Sequence, residues 1–223
     1  CKNRKKSRHF RQRLMRALGN KIGDRVMIES EITERERKIF LQPTALLIID
    51  MQNDAMFMVP SGKEIIPTIK KVLDDARRKE TPVIHKNRIQ RSNGIDVERF
   101  RVELFEDTPF LVDGTHGAEI VKDLEPVEKE IVVTGSRFSG FFQTDLQLIL
   151  TRLGVKTLVM CGIQTPNCIR ATVTDAIAYD HEVVLLNDAI SAQTPEIHNA
   201  NLLDMKNMGV TIVSTSNYIN SIN

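Results

Sequence analysis

Residues 157–175 read TLVMCGIQTPNCIRATVTD. The apolar run 157–160 has the look of a buried strand, and Gly162 closes it. Thr165 and Pro166 then stand where a helix N-cap and first helical position belong. This places Cys168 in the first turn of a helix, where unpaired N–H groups and the positive helix end favour a thiolate. A lone cysteine is more often a small core residue. Position alone leaves both readings open.

Working outward, the same alternation repeats. Short apolar runs appear at ALLIID (45–50), PVIHK (82–86), EIVVT (130–134), TLVMCG (157–162), EVVLLND (182–188) and VTIVST (210–215). Helical patterns lie between them at 64–80, 141–154, 167–180 and 195–209, the second with Phe142, Leu146, Ile149, Leu150 and Leu153 on one side. Continuous apolar strands alternating with amphipathic helices predict a six-stranded parallel sheet covered on both faces, an α/β three-layer sandwich. In such a sheet the site lies beyond the carboxyl ends of the strands. Asp50, Thr134, Gly135, Cys168 and Asp188 fall there. An acid and a thiol at neighbouring strand ends can form a base and nucleophile pair. An aspartate at a strand end, Asp54 included, also serves as a cap or turn former.

Composition narrows the classes. The 223 residues are 41% hydrophobic, enough for a core, and no apolar stretch is of membrane-spanning length. Three cysteines (1, 161, 168) form no CxxC, which points away from a disulfide framework and towards a reducing compartment. The histidines at 9, 85, 116, 181 and 198 form no HxxxH or DxH pair, so neither a metal nor another cofactor is expected.

The net charge of +2 hides an asymmetry. Residues 1–23 hold nine basic side chains and no acid, whereas the other 200 residues hold 22 basic and 29 acidic ones, a balance of −7. Lys2, Arg4, Lys5, Lys6, Arg8, Arg11, Arg13, Arg16 and Lys21 thus form an arm suited to RNA or another polyanion, by charge neutralisation of its backbone. The arm's single aromatic, Phe10, makes base stacking secondary. An Arg-rich, acid-free start also suits an organelle transit segment, and a chain opening on Cys1 reads as a processed product. The expectation is an organellar, mitochondrial-matrix location. Thr33 and Glu36 fit a capping box on a short helix. Pro43 then marks the boundary, giving an arm with its helix over 1–40 and a folded domain over 41–223.

IIDMQND (48–54), RFSGFFQTDL (137–146), GIQTPNCIRATVTDAIA (162–178), LLNDAISA (185–192) and TPEIHNANLLDMKNMG (194–209) together resemble the isochorismatase-like cysteine hydrolases, over residues 44 to about 215. The resemblance implies a six-stranded parallel sheet and hydrolysis of C–N bonds in small amides and ureido compounds, or of an enol ether, by an Asp–Lys–Cys triad. It implies Asp50 as general base and Cys168 as nucleophile. It further implies a cis peptide before Gln164 that turns the Gln164 N–H alongside that of Cys168 into an oxyanion hole. A homo-oligomer is compatible with it.

The departures carry weight. Where relatives read Lys-Thr-Arg-Phe-Ser after the third strand, this chain reads Gly135-Ser136-Arg137-Phe138-Ser139, so the family lysine is a glycine. Without an ammonium, Asp50 raises the thiol pKa as a like-charge neighbour of the thiolate. Arg137 is a conceivable replacement, although its planar head does not imitate a lysine. Ala55 stands where relatives carry Phe, ahead of an apolar AMFMV that is either core or contact surface. The Asp-x-His metal motif of nicotinamidases is absent, since His85 is followed by Lys86 and Asn87. Two readings follow. The preferred one is a pseudoenzyme serving as a structural subunit of a larger assembly, a ribonucleoprotein such as an organellar ribosome, with protein neighbours around it. The alternative is an active cysteine hydrolase of a small amide.

Overall fold

A computed structural model describes residues 32–59 and 61–222. The nine basic positions from Lys2 to Lys21 lie outside the described residues. The body opens with α1 (Glu34–Phe40), where Thr33 and Glu36 form the expected capping box. This helix belongs to the body, not to the arm as the 40/41 boundary had it. Ile39 and Phe40 are buried, Thr157 Oγ1 donates to the Ile39 carbonyl at 3.1 Å, and the Phe40 ring meets Tyr218 edge-on at 5.4 Å.

Six strands follow: β1 (Thr44–Ile49), β2 (Val83–Arg88), β3 (Ile131–Gly135), β4 (Thr157–Ile163), β5 (Glu182–Ser191) and β6 (Thr211–Val213). All pair in parallel, in the order β3-β2-β1-β4-β5-β6. The helices are α2 (Ala55–Met58), α3 (Gly62–Arg78), α4 (Val102–Asp107), α5 (Leu146–Arg152), α6 (Arg170–Ala178), α7 (Pro195–Asn207) and α8 (Thr215–Ser221). Strand order reverses between β1 and β4. A crevice therefore opens beyond their carboxyl ends, where Asp50 and Cys168 follow.

β1, β2 and β4 are buried along almost their whole length, as expected for central parallel strands. In the AMFMV stretch Ala55, Met56 and Val59 join the core, whereas Phe57 remains 76% exposed. Two helices differ from the sequence pattern. The helix expected over 141–154 is only α5, so Phe142 and Leu153 face solvent and only Leu146 and Leu150 are fully buried. Upstream of it the Ser139 hydroxyl accepts from the Phe141 N–H and the Thr144 hydroxyl donates to the Gly140 carbonyl, local bonds that compete with a helix. After β4 the chain forms a π-helical turn, Thr165–Ile169, with Gln164 at its N-cap. Thr165 does not cap. Its hydroxyl lies 3.0 Å from both the Ser191 carbonyl and His198 Nδ1, fastening the turn to β5 and α7.

Candidate active site

Asp50 ends β1 in a left-handed backbone conformation, φ 53°, which turns its carboxylate into the crevice. Its N–H donates to the Lys86 carbonyl at 2.8 Å, extending the register that sets Ile49 beside Lys86. From the same pairing Lys86 returns a second bond, Nζ to Asp50 Oδ1 at 2.8 Å. The Lys86 side chain is 0% exposed, and its ammonium donates again to the Arg137 carbonyl at 3.2 Å. A buried ammonium is tolerated only with a counter-charge and hydrogen bonds, and Lys86 has both.

An ammonium therefore stands beside Asp50 and acts on the Cys168 sulfur, which corrects the expectation of a missing cation. Gly135 is vacant as the sequence says, but the charge arrives from the neighbouring strand. Arg137 is not the substitute: its guanidinium turns to the Asp96 carbonyl and to Ser136. Gly140 makes room for the Lys86 stem, since a Cβ at 140 would lie 3.3 Å from Lys86 Cγ.

Cys168 lies in the π-helical turn, 4% exposed. Its thiol is pushed up to about 12, first by burial and then by the Asp50 charge, while Lys86 and Arg88 pull the other way. Desolvation thus outweighs the helix start that favoured a thiolate in the sequence. The resting sulfur is protonated, with a hydrogen bond to Asp50 among the causes. Asp50 Oδ2 is buried and accepts no hydrogen bond within normal distance among the described residues. One carboxylate thus faces the ammonium with one oxygen and keeps the other for a proton.

The Ile163–Gln164 peptide is cis, as the resemblance implied. No acceptor takes the Gln164 N–H among the described residues. Gly162, at φ 116°, lets β4 approach here; a Cβ would collide with the backbone of Ile49. The nucleophile turn is also tied to the 137–144 loop: Thr172 Oγ1 donates to the Cys168 carbonyl at 2.6 Å and accepts from the Gly140 N–H at 2.9 Å.

Asp50, Gln164 and Cys168 line one narrow cleft. Arg88 and Arg101 also line it, two cations that the sequence did not single out. The remaining strand-end candidates do other work. Asp54 Oδ2 accepts from the Leu111 N–H at 2.7 Å, and Asp188 Oδ1 accepts from the Thr215 N–H and hydroxyl at 2.8 Å each. Thr134 pairs with Asn87 within the sheet. Among the described residues no three His, Cys, Asp or Glu side chains converge as a metal site. His85, on the other face of β2, bonds Glu130 at 3.0 Å.

The isochorismatase domain pattern matches residues 44–217. A probable inactive nicotinamidase of Arabidopsis thaliana is 46% identical over 176 residues, 75% of this chain and 90% of that protein. The ureidoacrylate amidohydrolase RutB of Agrobacterium fabrum is 32% identical over 190 residues, covering 73% of this chain and 82% of that one. Among solved structures, an isochorismatase family protein from Desulfovibrio vulgaris superposes with a TM-score of 0.76 at 42% identity, over 78% of this chain and 95% of its own.

Proposed function

This chain belongs to the isochorismatase family, and from that premise we propose that it is a cysteine hydrolase of C–N bonds in small amides or ureido compounds, working through Asp50, Lys86 and Cys168. The observation that carries this reading is the Lys86 ammonium 2.8 Å from Asp50, in the charge environment of the Cys168 sulfur. The ammonium replaces, from β2, the charge that relatives draw from the position of Gly135.

In this mechanism the Cys168 thiol passes its proton to the free Oδ2 of Asp50 as the sulfur attacks the substrate carbonyl. Lys86 holds the other oxygen and fixes the carboxylate's orientation. Negative charge on the former carbonyl oxygen is met by the N–H groups of Gln164 and Cys168. The C–N bond breaks, and the leaving nitrogen takes the proton from Asp50. Water then adds to the thioester under the same carboxylate, and the acid leaves with the thiol restored.

A second reading has its own support. The Arabidopsis relative is named an inactive nicotinamidase, and residues 1–23 carry nine basic side chains and no acid. A catalytically silent body held in an RNA-containing assembly by that segment accounts for both. The two readings part in one experiment: the purified full chain is assayed for ammonia release from small amides and ureido compounds, beside a Cys168→Ala variant. Release that disappears with Cys168→Ala supports the hydrolase. No release from any probe, together with salt-sensitive RNA binding lost on deleting residues 1–23, supports the scaffold.

A further inference from the structure

We propose that the substrate carries a carboxylate, held by Arg101 in the cleft that contains Cys168. This inference rests on the hydrolase reading and adds the class of substrate.

It follows from a count of charges. Asp50 is matched by Lys86, and Arg88 by Glu98 in a close ion pair. Arg101 lines the same cleft and has no carboxylate partner among the described residues. The part of the site around the sulfur therefore carries one positive charge more than its acids balance.

Position makes this charge available to a ligand. Arg101 closes the 3₁₀ turn Arg99–Arg101, in the excursion between β2 and β3, and lines the cleft together with Asp50 and Cys168. Its guanidinium carbon lies 5.3 Å from the Phe138 ring centroid and 5.2 Å from that of Phe100. Arg88 sits 4.8 Å from the same Phe138 ring. Aromatic contact takes up the flat face of a guanidinium and leaves its N–H rim free, which suits a two-oxygen anion. Burial and the neighbouring Arg88 both push the Arg101 pKa down, so the cation stands in surroundings that disfavour it. A guanidinium stays charged regardless, and an arriving anion relieves that cost. Met58, Val59, Leu111 and Ile163 give the cleft apolar walls, suited to the carbon part of a substrate rather than to a second charge.

A rival role for Arg101 is to stabilise charge that develops on the reacting carbonyl. That role helps neutral and acidic substrates alike, whereas carboxylate recognition helps only the acids. The probes are 3-ureidopropionate and its neutral counterpart 3-ureidopropanol. Binding is measured calorimetrically on Cys168→Ala protein, and ammonia release on protein with Cys168 intact. The acid is expected to bind about 10- to 100-fold tighter than the alcohol, the range of a charge-assisted hydrogen-bond pair. Arg101→Met should remove this preference and raise KM for the acid far more than it lowers kcat, while Arg101→Lys keeps part of it. Equal binding of acid and alcohol, no binding of the acid, or equal losses on both probes in Arg101→Met would each overturn the proposal. A preference for the acid on Cys168→Ala protein without turnover by the unmodified chain leaves carboxylate recognition standing and removes the hydrolase reading.

Discussion

Cys161 and Cys168 lie seven positions apart and are both buried. Burial raises both thiol pKa values, and for Cys161, inside β4, it is the sole cause. That sulfur faces the Leu47 carbonyl at 4.0 Å and otherwise sits among apolar strands. Cys168 has the same desolvation, but Asp50, Lys86 and Arg88 also act on it. The contrast separates two properties that sequence reading merges. Removal from water makes a thiol inert, and charged company at a cleft gives it somewhere to send its proton.

The contrast breaks most sharply by substitution. Cys168→Ala should reduce ammonia release by at least about 10³-fold, as removal of a covalent nucleophile does. Cys161→Ala should leave kcat within about threefold and cost roughly 1 kcal/mol of stability for a lost buried sulfur, read by denaturant unfolding. Equal activity losses at the two positions would erase the distinction.

Next in size, Lys86→Met should lower kcat about 100-fold and destabilise by about 3–5 kcal/mol, because it strands a buried carboxylate. Adding Gly135→Lys should recover part of both, since it returns the ammonium from the strand on which relatives carry it. Recovery needs Thr144 to give way, as a Cβ at 135 would lie 2.9 Å from its Cγ2. Activity untouched by Lys86→Met would remove Lys86 from the mechanism.

Gly140→Ala is a gentler probe. Its methyl would press on the Lys86 stem and on Leu146 and Thr172, at 3.2–3.4 Å. A loss of about 1–3 kcal/mol is the usual cost of overpacking, and the variant's kcat should fall with the displacement of Lys86.

The smallest effect is a pH dependence. The folded chain holds the Cys168 proton up to about 12, against an ordinary 9.0. The folded state therefore binds this proton more tightly than the unfolded state. Its contribution to stability is complete below about pH 9 and fades as pH rises towards 12. Tyr218, pushed up to about 12 by burial, acts in the same direction. Thermal melts should show alkaline destabilisation over that window, reduced in Cys168→Ala.

Much of this was legible in the sequence. Six strands, their parallel arrangement and the placing of Asp50 and Cys168 at the site edge follow from apolar runs and strand-end position. Lys86 did not. The signal was present, because VIHKNR forms an inner strand buried on both faces, where a lysine needs a counter-charge. Its partner, however, is 36 residues away, and only the register Ile49 beside Lys86 brings them together. Arg101 was hidden for the same reason, in an excursion that carries no periodic pattern. The π-helical turn was missed because Thr165-Pro166 has the local chemistry of an ordinary helix start, while Ser191 and His198 claim the threonine hydroxyl.

In this chain the ammonium beside Asp50 comes from β2, and Gly140 opens a path for its stem. Homologous proteins of this architecture that lack the expected lysine should therefore be searched in space around the aspartate before they are counted as dead enzymes. A side chain that has changed its address leaves a gap in one column of residues and none in the molecule.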